Sequence, residues 1–510
     1  MLRNLILFVF LVKYLTVHSQ QASLGVFEKA QDLGNPRQAG MASYEAASQS
    51  YSLKGAGYNI WFQRDEFQYI YKKIKGDFIL TANVEFVGKG TDPHRKVGWM
   101  VRESAEADAA HISAVYHGDG LTLLQWRELR GAYMRDPEDE IFFPKKSVQV
   151  VQLERIGKKY IMRVANWGEP LQEVGSKEMV SLKDEVLAGL FICSHNADVT
   201  EEAKAWNVRI DQPIPPTFDP YREGTLGCRL EIINPFDGTR KVIHQSNERF
   251  EAPNWMPDGK KLLINMKGLL YKIPIEGGEL EKLNTDFANR NNNDHGISFD
   301  GKMLAISHHR EGMPGNGSTV YVLPLTGGTP KLVTEKTPSY WHGWSTNNKE
   351  VAYVGQREGS KAYNIYKATI ADGKETQLTF YEKGLADGPE YSPDGKYIYY
   401  NGNKTGTMQI WRMKTDGSGN EQITFDENNN WFAHNSPDGK WIVYLAFPPD
   451  INPDSHPFCK RVVLKLMPAS GGAPRSIAYL YGGQGTINVP SWSPDSKSLA
   501  FVSNSGTGRE

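Results

Sequence analysis

One short motif recurs six times in the C-terminal half of the chain and constrains the fold more than any other feature. Each copy has a Ser-Pro-Asp-Gly-like turn before an apolar run, and the copies start at Pro253, His295, His342, Pro389, Ala433 and Pro490. Successive starts lie 42, 47, 47, 44 and 57 residues apart. Because proline presets φ, aspartate bonds its own backbone and glycine takes a positive φ, each copy predicts two strands joined by a turn. Such a unit, repeated at this period, predicts a β-propeller.

A second series of turns predicts the number of blades. Six dipeptides typical of hairpins join short strands outside the first motif: Asp237-Gly238, Gly277-Gly278, Gly327-Gly328, Asp372-Gly373, Asp416-Gly417 and Gly471-Gly472. The first of these hairpins precedes the first motif, and the last motif has no such hairpin after it. If the N-terminal hairpin completes the last blade, the ring closes without a free edge. The sequence therefore predicts six blades over residues 225–510.

The repeated Pro-x-Trp-Ser-Pro-Asp-Gly-Lys pattern resembles the repeats of TolB-like β-propellers. The resemblance covers residues 225–510 and implies the fold. It implies little about activity, because propellers of this kind include binding proteins, peptidase accessory domains and lyases.

The start of the chain has the features of a signal peptide over residues 1–19. Arg3 is followed by an apolar run, and Val17-His18-Ser19 is an acceptable cleavage site. Elsewhere the sequence has no apolar stretch long enough to cross a membrane as a helix. We therefore expect an exported protein, either periplasmic or secreted. Three cysteines provide no disulfide framework.

Length and charge limit the domain count and the class of partner. A chain of 510 residues is too long for one core, so at least two domains are expected. Lys and Arg number 58 and Asp and Glu 59, and no basic stripe is present, which argues against nucleic acid as a partner. The sequence also lacks a nucleophile elbow, a P-loop and a dinucleotide fingerprint.

Residues 22–211 lack the repeat but contain many short alternating segments, which predict a β-sandwich. The segments GAGYNIWFQRDEFQYIYKKIKGDF, VGWMVRES, AGLFICSHN and WNVRI resemble the concanavalin A-like jelly-roll domains of secreted carbohydrate-active proteins. The resemblance implies a sugar-binding or targeting role. A proline-rich linker over residues 212–224 separates this domain from the repeats.

A carbohydrate site needs an aromatic face beside planar hydrogen-bonding side chains. The candidates in the first domain are Trp61, Asp65, Arg102, Gln125, Trp126 and Arg127. Alternatively, the tryptophans belong to the core and the charged residues to a solvated face. In the repeats, Trp341 and Trp431 precede motif histidines and are further candidates for stacking on a sugar.

Histidines replace the usual proline or alanine of the motif in two copies, at His295 and His342, and His434 lies one residue later in a third. Three histidines at one channel mouth predict a site for a divalent metal, which we expect to be manganese, calcium or zinc. The same layer contains Gln484, together with Asp294, Asp387, Glu390, Asn430 and Asn488. Alternatively, these histidines form hydrogen bonds between blades.

Histidines completed by a glutamine resemble the manganese site of oligogalacturonate lyases, which are also propellers. The resemblance implies that a metal neutralises a uronate carboxylate and a base such as His309 removes the adjacent proton. Arg310 or Arg357 would then hold the carboxylate.

Three functions follow as hypotheses. The first is an exported protein that binds a carbohydrate or a cell-envelope polymer. The second is a metal-dependent polysaccharide lyase or hydrolase with its site at the propeller channel. The third is a periplasmic scaffold that contacts envelope proteins.

Overall fold

The structure is a computed structural model that describes residues 23–215, 217–219, 222–223, 226–313 and 317–505. The predicted signal peptide lies outside these residues. Across the described ranges the fold is all-β, without an α-helix. Accordingly, the described residues contain no helix that is long and apolar enough to cross a membrane.

Within residues 23–211, the part before the linker that the structure describes, there are sixteen strands. They are β1 Lys29–Leu33, β2 Met41–Glu45, β3 Ser50–Gly57, β4 Ile60–Trp61, β5 Arg64–Asp65, β6 Phe67–Ile74, β7 Phe78–Val87, β8 Lys96–Arg102, β9 His111–His117, β10 Thr122–Arg127, β11 Glu140–Phe142, β12 Val150–Ile156, β13 Lys159–Ala165, β14 Gln172–Glu178, β15 Val186–Cys193 and β16 Asn196–Asp211.

These strands form two seven-stranded antiparallel sheets and the small pair β4–β5. One sheet has the order β1-β6-β15-β8-β9-β10-β11 and the other β14-β13-β12-β7-β16-β3-β2. Both contribute to one buried core, in which Ile70 and Trp99 of the first sheet pack with Leu80 and Leu153 of the second. We call this two-sheet unit the sandwich.

The first sheet of the sandwich is buried on both faces. Along β6, Ile70 and Ile74 point into the core between the sheets, whereas Phe67, Tyr69 and Tyr71 belong to a second apolar cluster on the outer face. This division follows from the alternation of side chains along a strand.

Within the described residues after the linker, 226–313 and 317–505, there are twenty-three strands. They are β17 Gly227–Ile233, β18 Arg240–Ser246, β19 Glu251–Trp255, β20 Lys261–Met266, β21 Leu269–Pro274, β22 Glu281–Lys282, β23 Asn291–Ile297, β24 Met303–His309, β25 Ser318–Pro324, β26 Lys331–Leu332, β27 Ser339–Trp344, β28 Glu350–Gly355, β29 Asn364–Thr369, β30 Glu375–Gln377, β31 Ala386–Tyr391, β32 Tyr397–Gly402, β33 Gln409–Lys414, β34 Glu421–Gln422, β35 Asn429–Asn435, β36 Trp441–Phe447, β37 Lys460–Pro468, β38 Arg475–Gly482 and β39 Leu499–Ser505.

Strands β19 to β34 form four antiparallel sheets of four consecutive strands each. The remaining strands form a seven-stranded sheet in the order β18-β17-β39-β38-β37-β36-β35. Its two parts, β35–β38 and β39-β17-β18, are joined by the single pair Tyr481–Asn504. The last motif forms one bridge, between Trp492 and Leu499, rather than a regular ladder.

The first strand after the linker closes the propeller. Strand β17 pairs with β39 along its full length, from Gly227 opposite Ser505 to Ile233 opposite Leu499. This pairing joins the N-terminal hairpin of the repeat region to its last described strand, as the turn series predicts. It leaves neither strand as an open edge at the closure.

Neighbouring sheets pack through large side chains. One cluster joins Val320 and Val322 of β25 to Trp341 and Tyr353 of the next sheet. Gly296 permits this contact, because a Cβ atom there would lie 1.8 Å from the ring of Trp341.

Candidate functional site at the channel mouth

The first strands of successive sheets (β19, β23, β27, β31 and β35) contact one another in order and surround an axis. A cavity of about 540 Å³ lies at the end of this axis where several of these strands begin. We call it the channel-mouth cavity. Its polar lining includes Asp294 of β23, His342 of β27 and Asp387 of β31, together with His456 and Gln484 from loops.

Asp387 lies between two histidines in this cavity. Its Oδ1 atom is 3.2 Å from His342 Nε2, and its Oδ2 atom is 3.9 Å from His456 Nε2. Burial would raise the pKa of Asp387, but the hydrogen bond and the charge of His342 hold it below its ordinary value. Burial would lower the pKa of His342, but Asp294 and Asp387 raise it. The geometry therefore favours an Asp387 carboxylate paired with a His342 imidazolium.

Asp294 lines the same cavity, but at acidic pH it is protonated, whereas Asp387 is ionised. Burial, with a smaller contribution from the nearby Asp387, raises its pKa to about 7 against the lowering effect of His342. Its Oδ2 accepts a hydrogen bond from Asn292 Nδ2 at 2.6 Å. Two carboxyl groups with pKa shifts in opposite directions thus face one cavity, an arrangement that occurs in acid–base sites.

Amide and aromatic groups complete the cavity. Asn488 Nδ2 donates to Gln484 Oε1 at 2.8 Å, while Gly485 N donates to Asn488 Oδ1 at 2.7 Å. Tyr340 and Tyr363 supply aromatic faces on the same lining. The cavity therefore offers hydrogen-bond donors, acceptors and ring faces to a polar ligand.

The structure does not bring the three predicted metal-binding histidines together. His295 is fully buried and is absent from the described lining of the cavity. His434 Nδ1 is 2.6 Å from Glu390 Oε2, and its Nε2 contacts the carbonyl of Ile487, so both ring nitrogens face oxygen acceptors. Only His342 and Gln484 of the predicted set line the cavity.

A metal site needs several converging ligands. Within the ranges that the structure describes, no group of three or more His, Cys, Asp or Glu side chains is placed to hold a metal ion. The residues present do not fit the predicted three-histidine site, and metal binding stays a prediction without a described ligand group.

The predicted catalytic residues lie outside the cavity. Arg357 donates from Nη2 to Glu375 Oε2 at 2.6 Å and from Nη1 to the carbonyl of Pro338 at 2.8 Å. His309 and Arg310 lie at and just after the end of β24, and neither is part of the described lining. Arg357 therefore supports its own blade, and the structure does not gather the three around one ligand.

The two predicted stacking tryptophans are buried. Trp341 is 1 % exposed and Trp431 is fully buried, and both belong to apolar clusters. The ring centroid of Trp431 lies 4.5 Å from that of His456. Trp431 therefore supports a residue of the cavity instead of presenting its own ring to a ligand.

The candidates in the sandwich form a buried ion cluster. Asp65 is fully buried and accepts hydrogen bonds from Arg102 Nη1 at 2.7 Å and from Arg127 Nη2 at 2.6 Å. Gln125 donates to the carbonyl of Ile60, and Trp126 is buried beneath Lys177. Only Trp61 is partly exposed. These groups bind one another, which leaves them unavailable as a set to a sugar at the surface.

Sequence reasoning missed His456, Tyr340 and Tyr363. His456 lies in the loop between β36 and β37, which has no counterpart in the motif. The available signal was the spacing of 57 residues before the last motif, the longest of the series, because it indicates an insertion.

Comparisons with known proteins agree with this architecture. The model of the TolB β-propeller domain matches residues 315–450. The chain is 46% identical over 280 residues to the uncharacterized protein Atu1656 of Agrobacterium fabrum, a match that covers 55% of this chain and 93% of the relative. A solved structure assigned to TolB from Agrobacterium tumefaciens is 45% identical, with a TM-score of 0.52, and the match covers 55% of this chain and 99% of that one. The fold and these matches define a class, and the chain belongs to the family of TolB-like β-propeller proteins.

A more distant relative is the Tol-Pal system protein TolB of Francisella tularensis. It is 23% identical over 273 residues, which cover 52% of this chain and 59% of the relative. The chain therefore matches little more than half the length of that TolB.

Proposed function

We propose that this protein is exported and binds a hydroxyl-rich ligand, a segment of a carbohydrate or cell-envelope polymer, in the channel-mouth cavity. The observation that carries the proposal is the set of groups in one cavity of about 540 Å³. This volume lies in the usual range for ligand sites. The cavity combines Asp294 and Asp387 with two imidazoles and three side-chain amides.

The chemistry of these groups supports a hydroxyl-rich ligand. A sugar hydroxyl both donates and accepts, and the cavity provides an acceptor in ionised Asp387 and a donor in protonated Asp294. The amides of Gln484 and Asn488 add planar partners of both kinds. The faces of Tyr340 and Tyr363 suit the apolar C–H surface of a sugar ring.

Two finer features of the architecture belong to the same proposal. The seven-stranded sheet counts as two blades, β35–β38 and β39-β17-β18 completed by the last motif, which gives six blades in total. The sandwich is a concanavalin A-like jelly roll that accompanies the propeller. The side chains of its buried Asp65 cluster bind one another, so the glycan binding proposed here is assigned to the channel-mouth cavity of the propeller.

Calorimetric titration of the full chain with soluble cell-envelope glycans and neutral oligosaccharides tests the proposal. We expect Asp387→Asn to weaken binding about tenfold, because a charge-assisted hydrogen bond is lost. His309→Gln changes a partly exposed residue outside the described lining and serves as the control. Binding that is equally strong in Asp387→Asn and wild type would refute the assignment to this cavity.

A second candidate function is acid–base catalysis on the same class of polymer, as a lyase or a hydrolase. The specific observation that favours it is the opposite pKa shifts of Asp294 and Asp387 in one cavity. In such a site Asp294 would transfer a proton while Asp387 holds His342 in place. Polymer breakdown by wild type but not by Asp294→Asn, measured as new chain ends, would establish it. Elemental analysis of the same samples tests the predicted divalent metal.

A further inference from the structure

A second cavity, of about 590 Å³, lies where the sandwich meets the propeller. Tyr44, Tyr51 and Lys72 of the sandwich line one side, and Arg229 and Gln245 of the hairpin β17–β18 line the other. We call it the junction cavity. Ligand sites occur preferentially at such domain boundaries.

Contacts on each side of the junction cavity hold the two domains together. Gln49 of the sandwich forms two hydrogen bonds with the backbone of Val242. Its Nε2 donates to the Val242 carbonyl at 2.8 Å, and the Val242 backbone N–H donates to its Oε1 at 2.9 Å. Glu231 of β17 is fully buried and accepts from Arg209 Nη2 of β16 at 2.7 Å. Arg229 of β17 pairs with Asp211 of β16. The walls of the cavity are therefore fixed before a ligand arrives, which lowers the entropy cost of binding.

The junction cavity is cationic. Lys72, Arg209 and Arg229 line it, and none of its described lining residues is Asp or Glu. The carboxylates that pair with the two arginines, Glu231 and Asp211, lie outside that lining. Among the described residues, the carboxylate paired with Lys72 is that of Glu28, at 3.9 Å. The channel-mouth cavity is the reverse, with three aspartates and one lysine in its lining.

Aromatic and polar groups lie beside this charge. The rings of Tyr44 and Tyr51 are 4.8 Å apart. The Tyr51 hydroxyl oxygen accepts a hydrogen bond from Val26 N at 2.8 Å, and its own proton remains to be donated. Gly25, at φ +61°, lets the backbone pass close to both rings, since a Cβ atom there would lie 2.1 Å from the Tyr51 hydroxyl. Gln245 is exposed on the opposite wall.

We infer that the junction cavity is a second binding site, for an acidic saccharide. Lys72 and the two arginines attract its carboxylate, sulfate or phosphate group, the tyrosine pair contacts the sugar ring, and Gln245 bonds a hydroxyl. This site is separate from the channel mouth and does not depend on the function proposed there.

The test is calorimetric titration of the full chain with disaccharides of matched size that are uronated, sulfated, phosphorylated or neutral. Inorganic sulfate and phosphate are titrated alone. We expect at least one acidic disaccharide to bind, the neutral one to bind at least tenfold more weakly, and affinity to fall as salt is raised. Lys72→Met and Gln245→Ala should each weaken binding about tenfold.

Two controls separate this site from others. Lys73→Met removes the same charge from the neighbouring residue, which is 67% exposed and absent from the described lining of the cavity, and should leave binding unchanged. Asp387→Asn alters the channel mouth and should also leave it unchanged. Thermal melting of each variant shows whether it is folded, and Tyr44→Ala provides a second probe should Lys72→Met fail to fold.

Four results would overturn the inference. One is that no acidic disaccharide binds at about 1 mM, the weak end of specific affinity. The second is that Lys72→Met or Tyr44→Ala binds the acidic disaccharide as tightly as wild type does, and the third is that Asp387→Asn weakens this binding as much as Lys72→Met does. The fourth is that an inorganic anion alone binds as tightly as the disaccharide. The last would reduce the site to one for a simple ion. Failure here would leave the channel-mouth proposal untouched, because that proposal depends on a loss of glycan binding in Asp387→Asn and not on Lys72, Tyr44 or Gln245.

Discussion

Replacing Glu231 with glutamine should destabilise the protein more than any surface change. Glu231 is fully buried where the sandwich meets the propeller. It accepts from Arg209 Nη2 at 2.7 Å, from Arg240 Nε and Nη2 at 2.8 Å each, and from the hydroxyl of Ser503. Glutamine keeps the shape but removes the negative charge, so two largely buried guanidinium groups lose their counter-charge. Breaking a buried ion pair in this way costs about 3–5 kcal/mol.

Equilibrium unfolding in urea, followed by tryptophan fluorescence, measures this loss. Glu281→Gln is the control, because Glu281 also forms an ion pair, with Lys261, but its side chain is 57% exposed. Such surface pairs contribute little to stability, because water screens the two charges. The reasoning from burial would be refuted if the free energy of unfolding of Glu231→Gln fell by less than about 1 kcal/mol, or by no more than that of Glu281→Gln.

Acidification gives a second measure of the same group. Burial would raise the pKa of Glu231, but Arg240 and Arg209 hold it well below its ordinary value in the folded protein. Its contribution to the free energy of unfolding is therefore present above the unfolded pKa, about 4.3, and is lost as the pH falls below it. The difference in free energy of unfolding between wild type and Glu231→Gln should therefore shrink as the pH falls below that value.

Three further changes test other parts of the structure. Burial raises the pKa of Asp294 to about 7, so the folded protein loses stability as this group ionises between about pH 4 and pH 7. The melting temperature of Asp294→Asn should therefore rise relative to that of wild type over that range, and melting temperatures that change in parallel with pH would contradict this. Trp431→Ala should lower the free energy of unfolding by about 3–5 kcal/mol, because the ring is fully buried; a loss of glycan binding without a loss of stability in urea would instead support the stacking role. Gly296→Ala places a Cβ atom 1.8 Å from the ring of Trp341 and should cost about 1–3 kcal/mol in the same assay; an unchanged free energy of unfolding would contradict this.

The repeats could be predicted because their signals are local. Proline, aspartate and glycine set the turn geometry within a few residues, and the apolar run that follows each turn forms the next strand. The closure by β17 and β39 followed from counting the two turn series. None of these inferences needed the position of a residue distant in sequence.

The candidate site could be predicted only in part, because the inner strands are irregular. The pairing register shifts between Asn291 and His295, and again between Trp341 and Gly343. A shift of this kind changes which face a side chain reaches, so equivalent motif positions end in different places. His295 is consequently buried outside the described cavity lining, whereas His342 faces the cavity.

The sandwich shows the same limit in another form. The alternation of its strands predicted a β-sandwich, but not that other residues would cover the outer face of the first sheet. That cover buries Asp65 together with Arg102 and Arg127, and the three charges satisfy one another. The residue types resemble those of a sugar site because both settings need planar hydrogen-bonding groups beside aromatic rings.

The core of one blade determines the position of a histidine in the candidate site. The ring of His456 lies 4.5 Å from that of Trp431 and 5.2 Å from that of Phe432, while Asp387 approaches its Nε2 from the cavity side. Trp431 is fully buried and Phe432 adopts a positive φ of 56° at the register shift of β35. The irregular inner strand therefore places aromatic side chains under the loop that carries His456. A tryptophan that sequence reasoning assigned to the ligand thus supports a cavity residue instead, and the non-repeating parts of the propeller shape the site.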